Sequence, residues 1–308
     1  MAKWRNRLLL AAIESVYGTA PSMDGEDALL ISEIDVTPIE VELKDRELIT
    51  GVYGNTEKVI SGRMSRATFS VEVAGSGTAG TAPKYDPILR ACGFDETIDS
   101  GVSVTYLPVS SGFESVALTF YADGTKHVLR GCRGTFSIEM SAGEIPKFSF
   151  ELTGLYTAAA AEANPSATFT AQAKPVAVNS DNTTPVSVHG FAACLESFSL
   201  DLANEVVFRQ LAGCTQRVEI TDRKPSGEVS IEAPALGSKD YFSALSTQAT
   251  GVLSLQHGQT AGNIVDISMP AINIGGVSYA DSQGVMMFNM PFMPNPDDGN
   301  DEISIVFT

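Results

Sequence analysis

An internal repeat constrains this chain more than any other feature. The stretch Arg63-Met64-Ser65-Arg66-Ala67-Thr68-Phe69-Ser70-Val71-Glu72-Val73-Ala74 returns as Arg223-Lys224-Pro225-Ser226-Gly227-Glu228-Val229-Ser230-Ile231-Glu232-Ala233-Pro234. Arg63 matches Arg223, Ser70 matches Ser230 and Glu72 matches Glu232 without a gap. Both copies alternate apolar and polar residues, the period of a strand buried on one face. Phe69, Val71 and Val73 oppose Thr68, Ser70 and Glu72; Val229, Ile231 and Ala233 oppose Glu228, Ser230 and Glu232. Each strand runs into a loop and a short apolar, helix-like run, Asp86-Pro87-Ile88-Leu89-Arg90-Ala91 and Asp240-Tyr241-Phe242-Ser243-Ala244-Leu245. A duplicated module of this kind predicts a mainly β protein: two tandem antiparallel β-sandwich or barrel domains, each with one short α-helix.

The repeat extends in both directions. Leu29-Leu30-Ile31-Ser32-Glu33-Ile34-Asp35-Val36 has its counterpart in Leu195-Glu196-Ser197-Phe198-Ser199-Leu200-Asp201-Leu202, and a longer polar stretch follows each. Residues 101–106 correspond to 251–256. In the first copy residues 117–121 turn at Asp123-Gly124 into His127-Val128-Leu129, a hairpin signal, and two further strands are expected at 135–140 and 147–152. The second copy keeps the order at 264–269, 271–274 and 286–290 and adds an extra strand at 303–307. Residues 157–185, rich in Ala, Thr, Asn and Pro, read as a linker laid over the surface. The expected organisation is an N-terminal arm (1–24), a first domain (25–156), the linker (157–185) and a second domain with a C-terminal strand or arm (186–308).

The 308 residues suit two domains of ordinary size, and an apolar fraction of 44% marks a globular chain. The net charge of -17 argues against gripping a phosphate backbone or an anionic membrane surface. Cys92, Cys132, Cys194 and Cys214 form no Cys-x-x-Cys pair, and none lies at metal-ligand spacing from a histidine. They read as buried free thiols in a chain that folds in a reducing compartment. Residues 3–13 imitate a signal peptide, but Glu14 follows the short apolar run at once, so a docking arm or a first strand is expected.

Chemical motifs are sparse. Gly75-Ser76-Gly77-Thr78-Ala79-Gly80 is a formal Gly-x-Gly-x-x-Gly with Asp95 downstream. The loop to Pro83 and Pro87 is too long for a glycine turn opening onto a helix, and the next strands alternate where buried parallel strands would be continuously apolar. A flexible loop is the plainer reading. Asp297-Asp298-Gly299-Asn300-Asp301-Glu302 lacks the ligand spacing of a calcium loop and reads as a solvated acidic turn. His127, His189 and His257 are isolated. No catalytic, cofactor or metal site is expected, and the chain is not expected to be an enzyme.

Several phrases carry a family resemblance: Ile13-Glu14-Ser15-Val16-Tyr17-Gly18-Thr19-Ala20-Pro21, Leu89-Arg90-Ala91-Cys92-Gly93-Phe94, Pro108-Val109-Ser110-Ser111-Gly112-Phe113-Glu114-Ser115 and Ile220-Thr221-Asp222-Arg223-Lys224-Pro225. Together with the doubled module they resemble major tail tube proteins of long, non-contractile-tailed bacteriophages across nearly the whole chain. The resemblance implies a structural virion protein, assembled in the host cytoplasm, whose domains join into rings that stack into a tube conducting genomic DNA to the host. It implies as partners further copies of the chain, the tape measure protein in the lumen, tail terminator and tail-tip proteins at the ends, and DNA in transit without specific binding. The rival class, a cell-surface adhesin or carbohydrate-binding β protein, predicts a secretion signal and disulfides, and neither is evident.

On this reading the polar strand faces line the lumen: Glu33, Asp35, Ser70, Glu72, Glu139, Ser199, Asp201, Glu228, Ser230 and Glu232. None of these positions is Lys or Arg, as a bore that must not hold phosphate requires. The long stretches 40–58 and 203–219 are expected to make ring-to-ring contacts through Lys44, Asp45, Arg46, Tyr53, Asn55, Glu205, Arg209 and Gln216, helped by the N-terminal arm and the C-terminal tail. Two copies of the domain per chain predict a homotrimeric ring, threefold in fact and sixfold only in approximate shape.

Overall fold

Alternation along the repeated strands builds one extended antiparallel sheet. In a computed structural model, which describes residues 3–169 and 172–308, Ser32–Lys44 pairs with Val59–Glu72, which pairs with Lys147–Leu155, which pairs with Thr125–Ser141. The second half repeats the order. Leu195–Asp201 pairs with Ser226–Glu232, which pairs with Val285–Asn295. The far edge of Val285–Asn295 is covered by residues 271–274 and then by Ser278–Ser282. Thr125–Ser141 also pairs with Leu195–Asp201, from Ser141 opposite Ser197 to Ser137 opposite Asp201. The two halves therefore share a sheet.

A second layer covers its apolar face. In the first half Arg7–Ile13 pairs with Val116–Ala122, and Phe94–Asp99 with Ser103–Pro108. In the second half Gly251–His257 lies between Thr183–Val188 and Val265–Ile274. The C-terminal strand Ser304–Phe307 pairs with Ser103–Pro108 on one side and Val265–Ile274 on the other, so it joins the halves in this layer as well. Between the layers runs one continuous apolar core, from Phe69, Phe136, Phe148 and Phe150 to Phe198, Ile231, Met290 and Phe292. The rings of Phe136 and Phe148 meet edge to face at 5.6 Å, a packing that stabilises beyond the area it buries.

Local chemistry explains the short elements. Helix Asp86–Ala91 opens with Pro87, whose missing N–H costs nothing in a first turn, and buries Ile88, Leu89 and Ala91. It stops at Gly93, which takes a φ of +87°. Helix Tyr241–Thr247 is capped by Asp240, whose carboxylate accepts from the Ser243 N–H at 2.9 Å. Asp123 and Gly124 have φ of +46° and +96°, as the two-residue hairpin turn requires.

Several expectations change. The strands expected at 127–129 and 135–140 are one strand of 17 residues. Its first part pairs in the outer layer with Val116–Ala122, its second in the main sheet, and the register shifts between Arg130 and Arg133 where it crosses. The N-terminal segment from Arg7 onward is a strand, and the C-terminal tail is a strand whose Ile305 and Phe307 are buried. Met1 and Ala2 of the expected arm, and Thr170 and Ala171 of the expected linker, lie outside the described residues. The linker runs over the surface but is anchored at Val178, which is buried. The Gly75–Gly80 loop is a packed clasp: the Gly75 N–H donates to Asn263 Oδ1 at 2.8 Å and the Gly77 N–H to the Gly262 carbonyl at 2.9 Å. A Cβ at residue 75 would stand 2.1 Å from that carbonyl oxygen. All four cysteines are free, but only Cys92 and Cys132 are buried; Cys194 and Cys214 are exposed.

The acidic turn is solvated only as far as Asn300. Glu302 is buried and receives Arg223, whose Nη2 stands 2.5 Å from Oε1 while its Nη1 donates to the Val109 carbonyl at 3.0 Å. One guanidinium thus ties the second half's strand, the first half's loop and the C-terminal tail together. Truncating Glu302 to Ala strands the largely enclosed Arg223 cation, its side chain only 10% exposed, which costs about 3 kcal/mol. Thermal unfolding of the purified variant should show a clear drop in Tm, and an unchanged Tm would remove the pair from any account of stability.

Candidate functional site

The face of the sheet turned away from the core is polar along most of the inner strands; Val285–Asn295 instead presents Met287, Asn289, Pro291 and Met293 there. Glu33, Asp35, Glu72, Glu139, Ser199, Asp201, Glu228 and Glu232 are exposed. The cross-strand registers bring them together: Glu139 lies opposite Ser199, and Ser199 opposite Glu228. Ser70 and Ser230 share the face but are buried under longer neighbours. The Ser70 hydroxyl donates to Glu33 Oε2 at 3.2 Å and lies 3.1 Å from the Ser149 hydroxyl. The Ser230 hydroxyl lies 3.0 Å from Glu196 Oε2 and 2.8 Å from Asn289 Oδ1. The repeat thus places equivalent serines in equivalent polar clusters. Two shallow concavities mark the face. The larger, of about 710 Å³, sits over the seam between the halves beside Glu139, Ser199, Asp201 and Glu228; the other, of about 320 Å³, lies beside Glu33, Ser70 and Glu151.

The face also carries two cations outside the expected set. Lys147 stands opposite both Glu72 and Glu139 and bonds Glu33 Oε1 at 3.0 Å. That bond, with the one from Ser70, holds the Glu33 carboxyl below the usual carboxylate range. Arg66 reaches Glu151 at 3.1 Å and Glu40 at 3.6 Å. Both keep the alternation of their strands' polar sides, Lys147 with Ser149 and Glu151, and Arg66 with Thr68 and Ser70, so following that alternation along each strand finds them. Neither stands without a carboxylate partner, and the face stays acidic. The second half is less charged: Met287, Asn289 and Pro291 lie opposite Glu232, Ser230 and Glu228, where the first half sets Lys147, Ser149 and Glu151 opposite Glu72, Ser70 and Thr68.

Two hairpins interrupt the repeat. The first continues Ser32–Lys44 and Val59–Glu72 as a paired ribbon as far as Lys44 opposite Val59. Beyond it, Lys44, Asp45, Arg46, Tyr53 and Asn55 are exposed, and an ion pair of 2.9 Å between Lys58 and Asp45 closes the base of the loop. Ile49 and Tyr53 are fully exposed, at 104% and 109%. The second hairpin, Asn204–Arg209 with Arg217–Arg223, leaves the main sheet after Ala203, whose φ is +49°. It packs on the first half. The Asn204 amide donates to the carbonyls of Cys92 and Gly134, Arg133 donates to the Val218 carbonyl at 2.9 Å, and the Val218 N–H donates to the Tyr17 hydroxyl at 2.6 Å. Glu205, Arg209 and Gln216 remain exposed, and Gln210 reaches Glu42 of the first hairpin at 3.0 Å.

The architecture is that of an antiparallel β protein built on one long, two-faced sheet with a projecting ribbon. The chain belongs to the phage tail tube protein family, whose model matches residues 4–307. It is a structural component of a bacteriophage tail, of a kind that assembles with copies of itself into the tube. A comparison with curated proteins finds no match.

Proposed function

We propose that three copies of this chain close a ring, that rings stack into the tube, and that the acidic sheet face lines the bore through which DNA passes to the host. The observation that carries this reading is the seam within the chain. Two repeated halves, each with four inner strands, already lie side by side in one sheet with their polar faces on the same side. Three chains then supply six halves and 24 inner strands. At a strand spacing near 4.8 Å and a tilt near 40°, 24 strands close at a backbone diameter of roughly 48 Å. Side chains would leave about 38 Å, ample for a duplex roughly 20 Å across. Twelve strands would close at roughly 24 Å and leave too little. Within such a bore, carboxylates and hydroxyls repel or ignore phosphate, and the two cations are occupied by their own carboxylates. The tape measure protein would fill the lumen before ejection, the terminator and tip proteins would close the ends, and assembly would take place in the host cytoplasm. The role is a structural one without catalysis.

Stacking falls to the hairpins, the first above all. Leu48, Ile49, Val52 and Tyr53 form an exposed apolar tip on a ribbon that reaches past the sheet, as a contact with a separate ring requires. The tip of the second hairpin, with Arg209 and Gln216, lies beside its base and joins the same contact.

Three measurements test this reading. Electron microscopy of the concentrated protein should show rings or tubes with threefold averages, and six chains per ring would overturn the stoichiometry. Deleting residues 45–57 should leave a folded protein, by circular dichroism, that no longer forms tubes; normal tubes would remove the hairpin from stacking. Virions carrying Glu72→Lys with Glu232→Lys should assemble but release DNA several-fold more slowly, most so at low salt, because each fixed cation adds about one released counterion per phosphate contact. Unchanged release at low salt would place these residues outside the bore.

A further inference from the structure

Resting on the ring reading, we infer the register in which one chain meets the next: residues 35–37 of one copy pair antiparallel with residues 278–280 of its neighbour, Asp35 opposite Ala280, Val36 opposite Tyr279 and Thr37 opposite Ser278. The seam inside the chain is the template, and the pairing registers transfer it residue by residue.

On the departing side, Ser70 lies opposite Ser149 and Ser149 opposite Ser137 in the first half. In the second half Ser230 lies opposite Asn289 and Asn289 opposite Ser278. Since Ser70 repeats as Ser230, Ser278 holds the place of Ser137, Tyr279 that of Ile138 and Ala280 that of Glu139. On the arriving side, Thr68, Ala67 and Arg66 lie opposite Asp35, Val36 and Thr37, while Glu228, Gly227 and Ser226 lie opposite Ser199, Leu200 and Asp201. By strand register Asp35, Val36 and Thr37 therefore hold the places of Ser199, Leu200 and Asp201, two residues from the alignment that the sequence alone suggests. Inside the chain Ser199, Leu200 and Asp201 lie opposite Glu139, Ile138 and Ser137.

Both edges are open. Among the described residues Ser32–Lys44 pairs only with Val59–Glu72, and Ser278–Ser282 only with Val285–Asn295. An open row of N–H and C=O groups is a template for another strand. Exposure points to the same occupant. Ile138 and Leu200, which meet across the internal seam, are both 0% exposed, whereas Tyr279, in the place of Ile138, is 63% exposed at the edge. The repeat-equivalent pair Ile220 and Ile60 shows the same contrast, 7% against 46%. The Arg223 side chain is 10% exposed between the halves, while Arg63 is exposed. Residues that the internal seam covers are thus bare wherever the chain lacks a neighbour, and a second copy supplies the matching surface.

The test uses the full chain with Cys194→Ser and Cys214→Ser, which remove the exposed thiols. Into this background go Asp35→Cys with Ala280→Cys, and separately Thr37→Cys with Ser278→Cys. Directly opposed strand residues lie within disulfide reach, whereas a slip of two residues does not. In assembled protein, mild oxidation should link chains into covalent dimers and trimers on a non-reducing gel for both pairs. The slipped pairs, Asp35→Cys with Ser278→Cys and Asp35→Cys with Ser282→Cys, should remain largely monomeric. Hydrogen exchange of the unsubstituted protein should show residues 35–37 and 278–280 gaining protection on assembly. Rings seen by microscopy with cross-links only in a slipped pair, or with no new protection at these residues, would overturn the register and leave the ring standing. Unsubstituted protein that never forms rings at any concentration would overturn the ring reading itself.

Discussion

The strand pairing between residues 137–141 and 197–201 is the contact on which the rest of the molecule depends. An isolated half would end on two open edges. Joining them satisfies one row of backbone groups and sets the halves in line with their polar faces together. The apolar sides then merge into one core, from Phe69 to Phe292, that neither half encloses alone. Backbone hydrogen bonds fix the register, and the register decides the face: a slip of one residue would turn Ile138 and Leu200 out of the core and Glu139 and Ser199 into it.

Around that pairing the chain adds fasteners that work in other layers. The C-terminal strand bridges Ser103–Pro108 and Val265–Ile274. The Gly75 clasp meets the turn at Gly262 and Asn263 backbone to backbone, an approach only glycine permits. Buried Glu302 and the largely enclosed Arg223 form a pair whose weight lies in what happens when one partner is missing rather than in net attraction. Apart from Arg223 itself, these contacts come from segments outside the doubled strand, so they distinguish the halves from each other.

Much of this was legible in the sequence because two signals survive without neighbours. Alternation at period two reports which side of a strand faces the core, and it identified Phe69, Val71, Val229 and Ile231 as buried and Glu72 and Glu232 as exposed. The Asp123-Gly124 turn and the two short helices were likewise readable from local chemistry. Signals that depend on a distant partner were not. Glu302 sits in an acidic run that reads as solvated, and only Arg223, far away in the chain, makes it a buried ion. Ser70 and Ser230 have the polar alternation of exposed residues, yet longer neighbours cover them. Cys194 and Cys214 are exposed although a free thiol usually reads as buried. The hairpins differ most: Ile60 and Ile220 match in sequence, but only the second has a covering surface within the chain.

That last difference bears on why the module is doubled. In a ring of separate single modules every seam would form between independent molecules and would bear the full loss of translational and rotational freedom. A linker of about thirty residues turns half of the seams into intramolecular contacts, at an effective concentration in the millimolar range for a short flexible tether. The proposed ring then needs three association events where six modules would need six. Fusion also frees the two seams to diverge, since the inner one can recruit the C-terminal strand and Glu302 while the outer one must be made from surfaces that stay soluble until a second copy arrives. Tyr279 and Ile60 at exposed positions, set against buried Ile138 and Ile220, are what the proposed division would produce: one seam closed during folding, the other left to close only in assembly.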